Sequence, residues 1–333
     1  MLTNLILFMS FFILPQATFL YDSTQFTDFI RTYDKNYSDD ELLTRLEIFK
    51  SNLDKINKHN NEEHTWKMSL NKFADLTSVE FKNLYTGYNK PALGFRRSGI
   101  KFDNLDAISI EDLPDEVDWV SAGAVTGVKD QSQCGSCYSF SGIEAVESSY
   151  FLKTGKLLTL SEQQVVDCSD SYGDQGCNGG TMDAVFQYII DNGICLEKDY
   201  PYKGVDGTCK KCSSVLKIDS FVDVTPNSEI ALQQAVVGRP IAIAIEADQT
   251  SFQFYSSGVL TSNCGTNLDH GTELVGYGTL NGIDYWKVRN SWGSSWGMDG
   301  YILLARNVKQ KGGQCGITQM ASYPVFKSEK VIN

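Results

Sequence analysis

The chain predicts an α+β fold of two lobes, one mainly helical and one an antiparallel sheet or barrel, preceded by a separate helical unit. Three observations carry this reading. Leu42, Leu46, Phe49, Leu53 and Ile56 form a stripe at helical spacing inside a stretch, 22 to about 110, that holds no cysteine. All nine cysteines lie beyond residue 130. Past about residue 221 the texture turns from helical periodicity to short β-branched and aromatic runs separated by glycine-containing turns. A length of 333 residues exceeds what one core usually fills, in keeping with a leader, a removable segment and a two-lobed body.

The elements follow in order. Residues 1–20 contain an apolar run, Leu5 to Leu14, followed by Gln16-Ala17-Thr18. This fits a signal peptide and falls short of the ~20 residues a bilayer span needs. A buried N-terminal helix is the competing reading, because only the amino terminus supplies positive charge ahead of the run. Residues 21–112 form the separate unit, whose main helix opens on acidic residues at Asp39. Tyr88 to Glu111, with Pro91, Gly94, Arg96-Arg97 and Gly99, reads as an extended connector, with cleavage near Leu113-Pro114. The body, 113–333, opens with a helical lobe to about 220. Its strongest helix is Ser136 to Lys153, with Phe140, Ile143, Val146 and Tyr150 on one face and Gly155 as the stop. In the β lobe, about 221–326, strands are predicted at Ile241–Ile245, Leu274–Tyr277, Tyr285–Asn290 and Tyr301–Ala305.

Charge narrows the function. A net charge of -12 and a pI near 4.8 argue against nucleic acid as a partner and suit an acidic compartment. After the leader no segment approaches the length of a membrane span. In an exported chain cysteines oxidise in pairs, so an odd count leaves one thiol over.

Cys137 is the thiol prepared for chemistry. It opens the predicted helix, where unpaired N–H groups and the helix dipole favour an anion. Of three histidines, His59 and His64 lie in the removable unit, so His270 is the body's only imidazole. Asn290, at the end of a strand, would accept the imidazole N–H and hold the ring. Cysteine comes from one lobe, histidine and asparagine from the other, so the site is expected in the cleft between them. Neither a cofactor nor a metal is required.

The run Gln131-Ser132-Gln133-Cys134-Gly135-Ser136-Cys137-Tyr138, with His270 and Asn290 some 130 to 155 residues downstream, resembles the papain and cathepsin signature. Within that family the chain is most similar to the cathepsin L branch. Glu41, Arg45, Ile48, Phe49, Asn52, Ile56 and Asn60 reproduce the branch's propeptide motif, and Asn71, Phe73 and Asp75 its second motif, with Ser69 where glycine is commoner. The resemblance covers residues 25 to 326. It implies a papain-like fold with an inhibitory propeptide and a monomeric endopeptidase acting through a thioester. Protein and peptide substrates, the chain's own propeptide and cystatin-like inhibitors would be its partners, in a lysosome, a vacuole or the medium.

The same resemblance implies the remaining roles. Gln131 would donate its amide to the oxyanion beside the Cys137 N–H, and Trp292 would cover the histidine-asparagine contact. Gly179 and Gly180 would let a substrate strand approach. Met182, Ala244, Leu268 and Met320 would line the pocket for the second residue upstream of the cut bond, all apolar, favouring a hydrophobic side chain there. Disulfides would join Cys134 to Cys177, Cys168 to Cys209 and Cys264 to Cys315, which leaves Cys195 and Cys212 as a further pair. Asn36, in Asn36-Tyr37-Ser38, is a glycosylation sequon within the propeptide.

Three positions depart from the pattern: Tyr138 replaces tryptophan, Ser132 glycine, and Glu273 an apolar residue just after the histidine. Two other functions compete. Cys134-Gly-Ser-Cys137 and Cys209-Lys-Lys-Cys212 would make a zinc or redox site, but their gap is far longer than a zinc ribbon uses. An inactive peptide-binding relative would keep the fold, yet such chains usually lose the nucleophile.

Overall fold

The computed structural model describes residues 24–89, 100–102, 109–261 and 264–326. The leader and the connector residues Pro91, Gly94, Arg96, Arg97 and Gly99 lie outside the described residues.

The N-terminal unit begins with a helix over 24–32 (α1) and continues into α2, Asp39–Asn60. Glu41 accepts hydrogen bonds from the Ser38 N–H and Oγ, which closes the first turn of α2. Phe49, Leu53 and Ile56 are buried as the stripe requires, and Phe49 packs on Phe26 and Phe29 of α1 at ring distances of 5.3 and 5.2 Å. Leu42 is exposed, because it lies a turn before the surface that α2 covers. The polar residues of the motif bind the chain after α2: Asn52 Nδ2 donates to the Ala74 and Leu76 carbonyls at 3.0 and 2.9 Å, and Arg45 to the Asp75 carbonyl at 3.0 Å. The unit continues through strand β1, Trp66–Met68, and helix α3, Ser78–Tyr85.

Two short strands follow, β2 at Ile100–Lys101 and β3 at Val117–Asp118. The helical lobe comes next. Helix α4, Cys137–Thr154, ends at Gly155, whose φ of +70° is the left-handed stop that glycine supplies at least cost. It is buried nearly all round, its polar residues Ser139, Ser141, Glu144, Glu147 and Ser148 included, because α5 (Glu162–Cys168), α6 (Met182–Asn192) and the sheet surround it. The β lobe holds β4 (Ser220–Asp223), α7 (Glu229–Gly238), β5 (Ile241–Ile245), α8 (Thr250–Gln253), β6 (Tyr255–Leu260), β7 (His270–Leu280), β8 (Ile283–Arg289), β9 (Tyr301–Ala305) and β10 (Ala321–Val325).

The strand order is β1-β6-β9-β8-β7-β5-β10-β4-β2, with β3 added on β7. The expected antiparallel sheet of the β lobe is present, and two parallel pairs extend it into a mixed one, β6 with β9 and β2 with β4. Both pairs join strands far apart in sequence, so no hairpin forces them to run oppositely. The N-terminal unit enters the sheet itself, as β1 pairs antiparallel with β6. His270 is the first residue of β7 and not ahead of it, and Asn290 stands one residue beyond β8.

All four expected disulfides are present: Cys134–Cys177, Cys168–Cys209, Cys195–Cys212 and Cys264–Cys315. Cys134, Cys209 and Cys212 are thereby bound to cysteines outside the two C-x-x-C pairs, which removes the four-thiolate zinc set. Cys137 is the free cysteine, and it is buried.

Candidate active site

Helix α4 presents Cys137 as its first residue, and β7 presents His270 against it. The Gly271 N–H donates to Cys137 Sγ at 3.3 Å, so the main chain beside the imidazole rests on the sulfur. His270 Nε2 lies 2.8 Å from Asn290 Oδ1. An amide oxygen only accepts, so Nε2 carries the proton and Nδ1, which has no hydrogen-bond partner, keeps its lone pair. The Trp292 indole stacks on the His270 ring at 4.6 Å.

Gln131 Nε2 donates to the Cys134 carbonyl at 2.9 Å and to the Tyr85 carbonyl at 3.3 Å. Trp292 Nε1 donates to that same Tyr85 oxygen at 3.1 Å. A carbonyl of the N-terminal segment thus occupies the Gln131 and Trp292 side-chain donors. Residues 85–89 continue along the cleft. The Gly87 and Tyr88 N–H groups donate to the Asp269 carbonyl at 2.9 and 2.8 Å, the Gly180 N–H donates to the Gly87 carbonyl at 2.9 Å, and the Asn89 N–H to the Gly180 carbonyl at 3.0 Å. Segment and body run parallel at the Tyr88 and Gly180 bridge. Close approach makes the glycines necessary. A Cβ at Gly87 would lie 2.6 Å from the Gly135 Cα, and one at Gly179, where φ is +109°, would meet the Gly87 carbonyl at 2.5 Å.

Met182, Ala244 and Leu268 are buried in one cluster with Tyr88, and Met320 packs against it. Tyr88 lines the remaining space beside Met182 and Met320, a cavity of about 20 Å³. Its wall also includes Asp183, Asp223 and Gln319, while Ala244 and Leu268 do not line it.

Burial decides the electrostatics. It pushes the Cys137 thiol up to about 12, against the N–H groups of Gly271, Tyr138 and Gly87, which favour the thiolate. It also lowers His270 to about 4, although the Asn290 hydrogen bond opposes the shift. The covered pair is therefore neutral thiol and neutral imidazole. The helix start alone would have biased Cys137 towards thiolate, but with the cleft covered the loss of water outweighs the N–H groups.

Residues 113–325 match the model described as papain family cysteine protease, and residues 26–81 that of the cathepsin propeptide inhibitor domain (I29). The chain belongs to the papain family of cysteine proteases. Cysteine proteinase RD21A of Arabidopsis thaliana is 50% identical over 293 residues, 87% of this chain and 63% of that protein, so this chain spans under two thirds of that relative's length. Cysteine proteinase COT44 of Brassica napus is 48% identical over 84% of this chain and 88% of its own. The proform of the ragweed pollen allergen Amb a 11 superposes with a TM-score of 0.85 at 37% identity, covering 92% of this chain and 95% of that one. Digestive procathepsin L 3 of Tenebrio molitor gives 0.81 at 40% identity, covering 92% and 99%.

Several groups of this papain-family site escaped the sequence. Tyr202 Oη donates to the Gln131 carbonyl at 2.7 Å and meets Ser136 Oγ at 2.6 Å, and Ser291 Oγ donates to Gln131 Oε1 at 2.7 Å. These contacts fix the glutamine from both ends, and nothing in local spacing marks them. Tyr138 fills the tryptophan position fully buried, its hydroxyl donating to the Gly176 carbonyl at 3.1 Å. Ser132 keeps a φ of +55°, which explains why glycine is commoner there. Asn36 is exposed before α2.

Proposed function

We propose that this chain is a cysteine endopeptidase made as a zymogen, in which Cys137 attacks the peptide carbonyl, His270 transfers the proton and Asn290 orients the ring. The observation that carries the reading is the continuous contact from Cys137 Sγ through Gly271 and His270 to Asn290, with residues 85–89 of the same chain across it. His270 Nδ1 takes the thiol proton and delivers it to the leaving amine. Water then hydrolyses the thioester. The Gln131 amide and the Cys137 N–H stabilise the oxyanion once the Tyr85 carbonyl has left. The domain limits proposed are 1–20, 21–112 and 113–333.

Acid activation rests on the same burial. While the segment covers the cleft, His270 is held at about 4. Once it leaves, the ring meets water and takes a proton nearer its ordinary value, so falling pH favours the open state. A second contact that holds the segment together is Asp75, buried against Lys35 Nζ at 2.9 and 3.0 Å and Tyr37 Oη at 2.8 Å. Glu41, the nearby acid at the start of α2, is exposed and takes no part. If Asp75→Asn leaves the pH of processing unchanged, Asp75 is not part of the switch.

Met182, Ala244, Leu268 and Met320 support preference for a hydrophobic residue second upstream of the cut. Four disulfides fit the secretory pathway, and we place the enzyme in a lysosome, a vacuole or outside the cell. Among the described residues no helix is long and apolar enough to cross a membrane. Acid incubation of the chain beside its Cys137→Ala variant tests the function. Shortening to about residue 113 with peptide hydrolysis by the unsubstituted chain alone supports it, and equal behaviour of the two chains refutes it.

A further inference from the structure

Glu273 and Arg289 have no task in the reading above, and both are fully buried. Glu273 lies three residues after His270 on β7. Arg289 ends β8 immediately before Asn290, and the register sets Glu273 and Arg289 directly opposite each other. Arg289 Nη1 donates to Glu273 Oε2 at 3.3 Å, while Glu273 Oε1 accepts from Ser148 Oγ at 3.0 Å. Ser148 belongs to α4, the helix that Cys137 opens. On its other side Arg289 Nη2 faces Glu144 of the same helix at 3.5 Å and donates to Thr126 Oγ1 at 3.1 Å. Thr126 Oγ1 in turn donates to Glu147 at 2.6 Å. The groups around Glu273 are thus one cation, Arg289, two further carboxylates, Glu144 and Glu147, the Ser148 hydroxyl and the Tyr301 phenol of β9.

Register explains what the pair does. Pairing between β7 and β8 slips between Leu274 and Gly276, so on the catalytic side of this bulge only Leu274–Val288 and Glu273–Arg289 hold the two strands together. A bulge breaks the ladder locally, and a slip of one residue would turn a side chain to the opposite face. β5 pairs with β7 up to His270 but does not reach Asn290, whose N–H is held by Gly300 at 3.0 Å from the far side. The alignment of Asn290 with His270 therefore depends on the last cross-strand pair before them.

We propose that Glu273 is a positioning residue for the proteolytic reaction: through Arg289 it holds Asn290 in register with His270, and through Ser148 it ties that strand pair to the helix of Cys137. An apolar residue at 273 would leave the buried Arg289 with Glu144 as its one remaining ion-pair partner and the end of the ladder without a side-chain bond. The proposal rests on Cys137, His270 and Asn290 being catalytic, and the test scores the two ideas separately.

Activated protein carrying Glu273→Leu is compared with the unsubstituted protein, and Glu273→Gln, which keeps the volume and hydrogen-bonding capacity, is measured beside it. Cys137 is alkylated with iodoacetamide at about pH 6 and about pH 10, with rates counted per reactive thiol, and kcat and KM are taken on one peptide. Expected for Glu273→Leu is an alkylation rate lower by about tenfold at about pH 6, where the thiolate depends on the aligned imidazolium, and unchanged at about pH 10, where the thiol ionises unaided. The expected kcat falls in parallel while KM stays within about twofold, and Glu273→Gln recovers most of the loss. Unchanged pH 6 alkylation and kcat in whichever variant folds overturn the positioning role, even if the melting temperature drops. Slow alkylation at about pH 6 in the unsubstituted protein overturns the catalytic reading itself, and this proposal with it.

Discussion

Asn290 Oδ1 and His270 Nε2 are 2.8 Å apart, and Asn290 Oδ1 also accepts the Ser291 N–H at 2.8 Å, so the amide is pinned before it orients the ring. Asn290→Ala removes the acceptor that keeps the proton on Nε2. kcat/KM is expected to fall by about 10- to 100-fold, ~1.4–2.8 kcal/mol, with KM within about twofold. Steady-state kinetics per titrated thiol checks this, and an unchanged kcat would remove Asn290 from the mechanism.

Gly87 is the tightest point of the covering segment, because a side chain there would enter the Gly135 backbone next to Cys137. Backbone cannot rotate aside as a flexible side chain does. Gly87→Val is expected to weaken inhibition by the separated segment by at least about tenfold, ~1.4 kcal/mol. The inhibition constant against the activated enzyme measures it.

Stability should follow pH with a definite sign. Burial raises Asp174 and Asp269 to about 7, and no cation bonds to either carboxylate. The folded chain then holds protons that the unfolded chain loses near its ordinary carboxylate value, so these groups stabilise in acid and the gain is lost as pH rises from about 4 to about 7. His270, lowered to about 4, works oppositely: its contribution is complete above 6.5 and lost towards 4. Two carboxyls outweigh one imidazole. The melting temperature of the Cys137→Ala chain is expected to rise between about pH 7 and about pH 5, and a fall over that range would contradict the assignment.

Much of this was legible in the residues. The stripe of α2, the start and stop of α4, and the one cysteine left out of the disulfides, the proposed nucleophile Cys137, were all readable from the sequence. Strand direction was not, because β6 and β9 read alike whether they run parallel or antiparallel. Nor was the neutral state of Cys137 and His270, since the segment that buries them meets them through backbone groups of Tyr85, Gly87 and Tyr88, which carry no residue signature. The partner of Glu273 also escaped, because Arg289 is sixteen residues away and meets it only through β7 and β8 pairing.

Met320 and Tyr88 line the same cavity. Met320→Ala is expected to shift preference towards a large aromatic side chain over a smaller aliphatic one by about 5- to 20-fold in kcat/KM, on the scale of one or two methylenes in an apolar pocket. Paired peptides differing at that residue measure the ratio.

In the zymogen proposed above, residues 85–89 hold the Cys137 and His270 pair covered and neutral until they leave. Cys137 is the one free cysteine among the described residues, so its alkylation rate by iodoacetamide reports that state directly. At about pH 6 the intact chain is expected to react at least about 100-fold more slowly than the same chain after removal of the segment. Equal rates before and after removal would contradict the account.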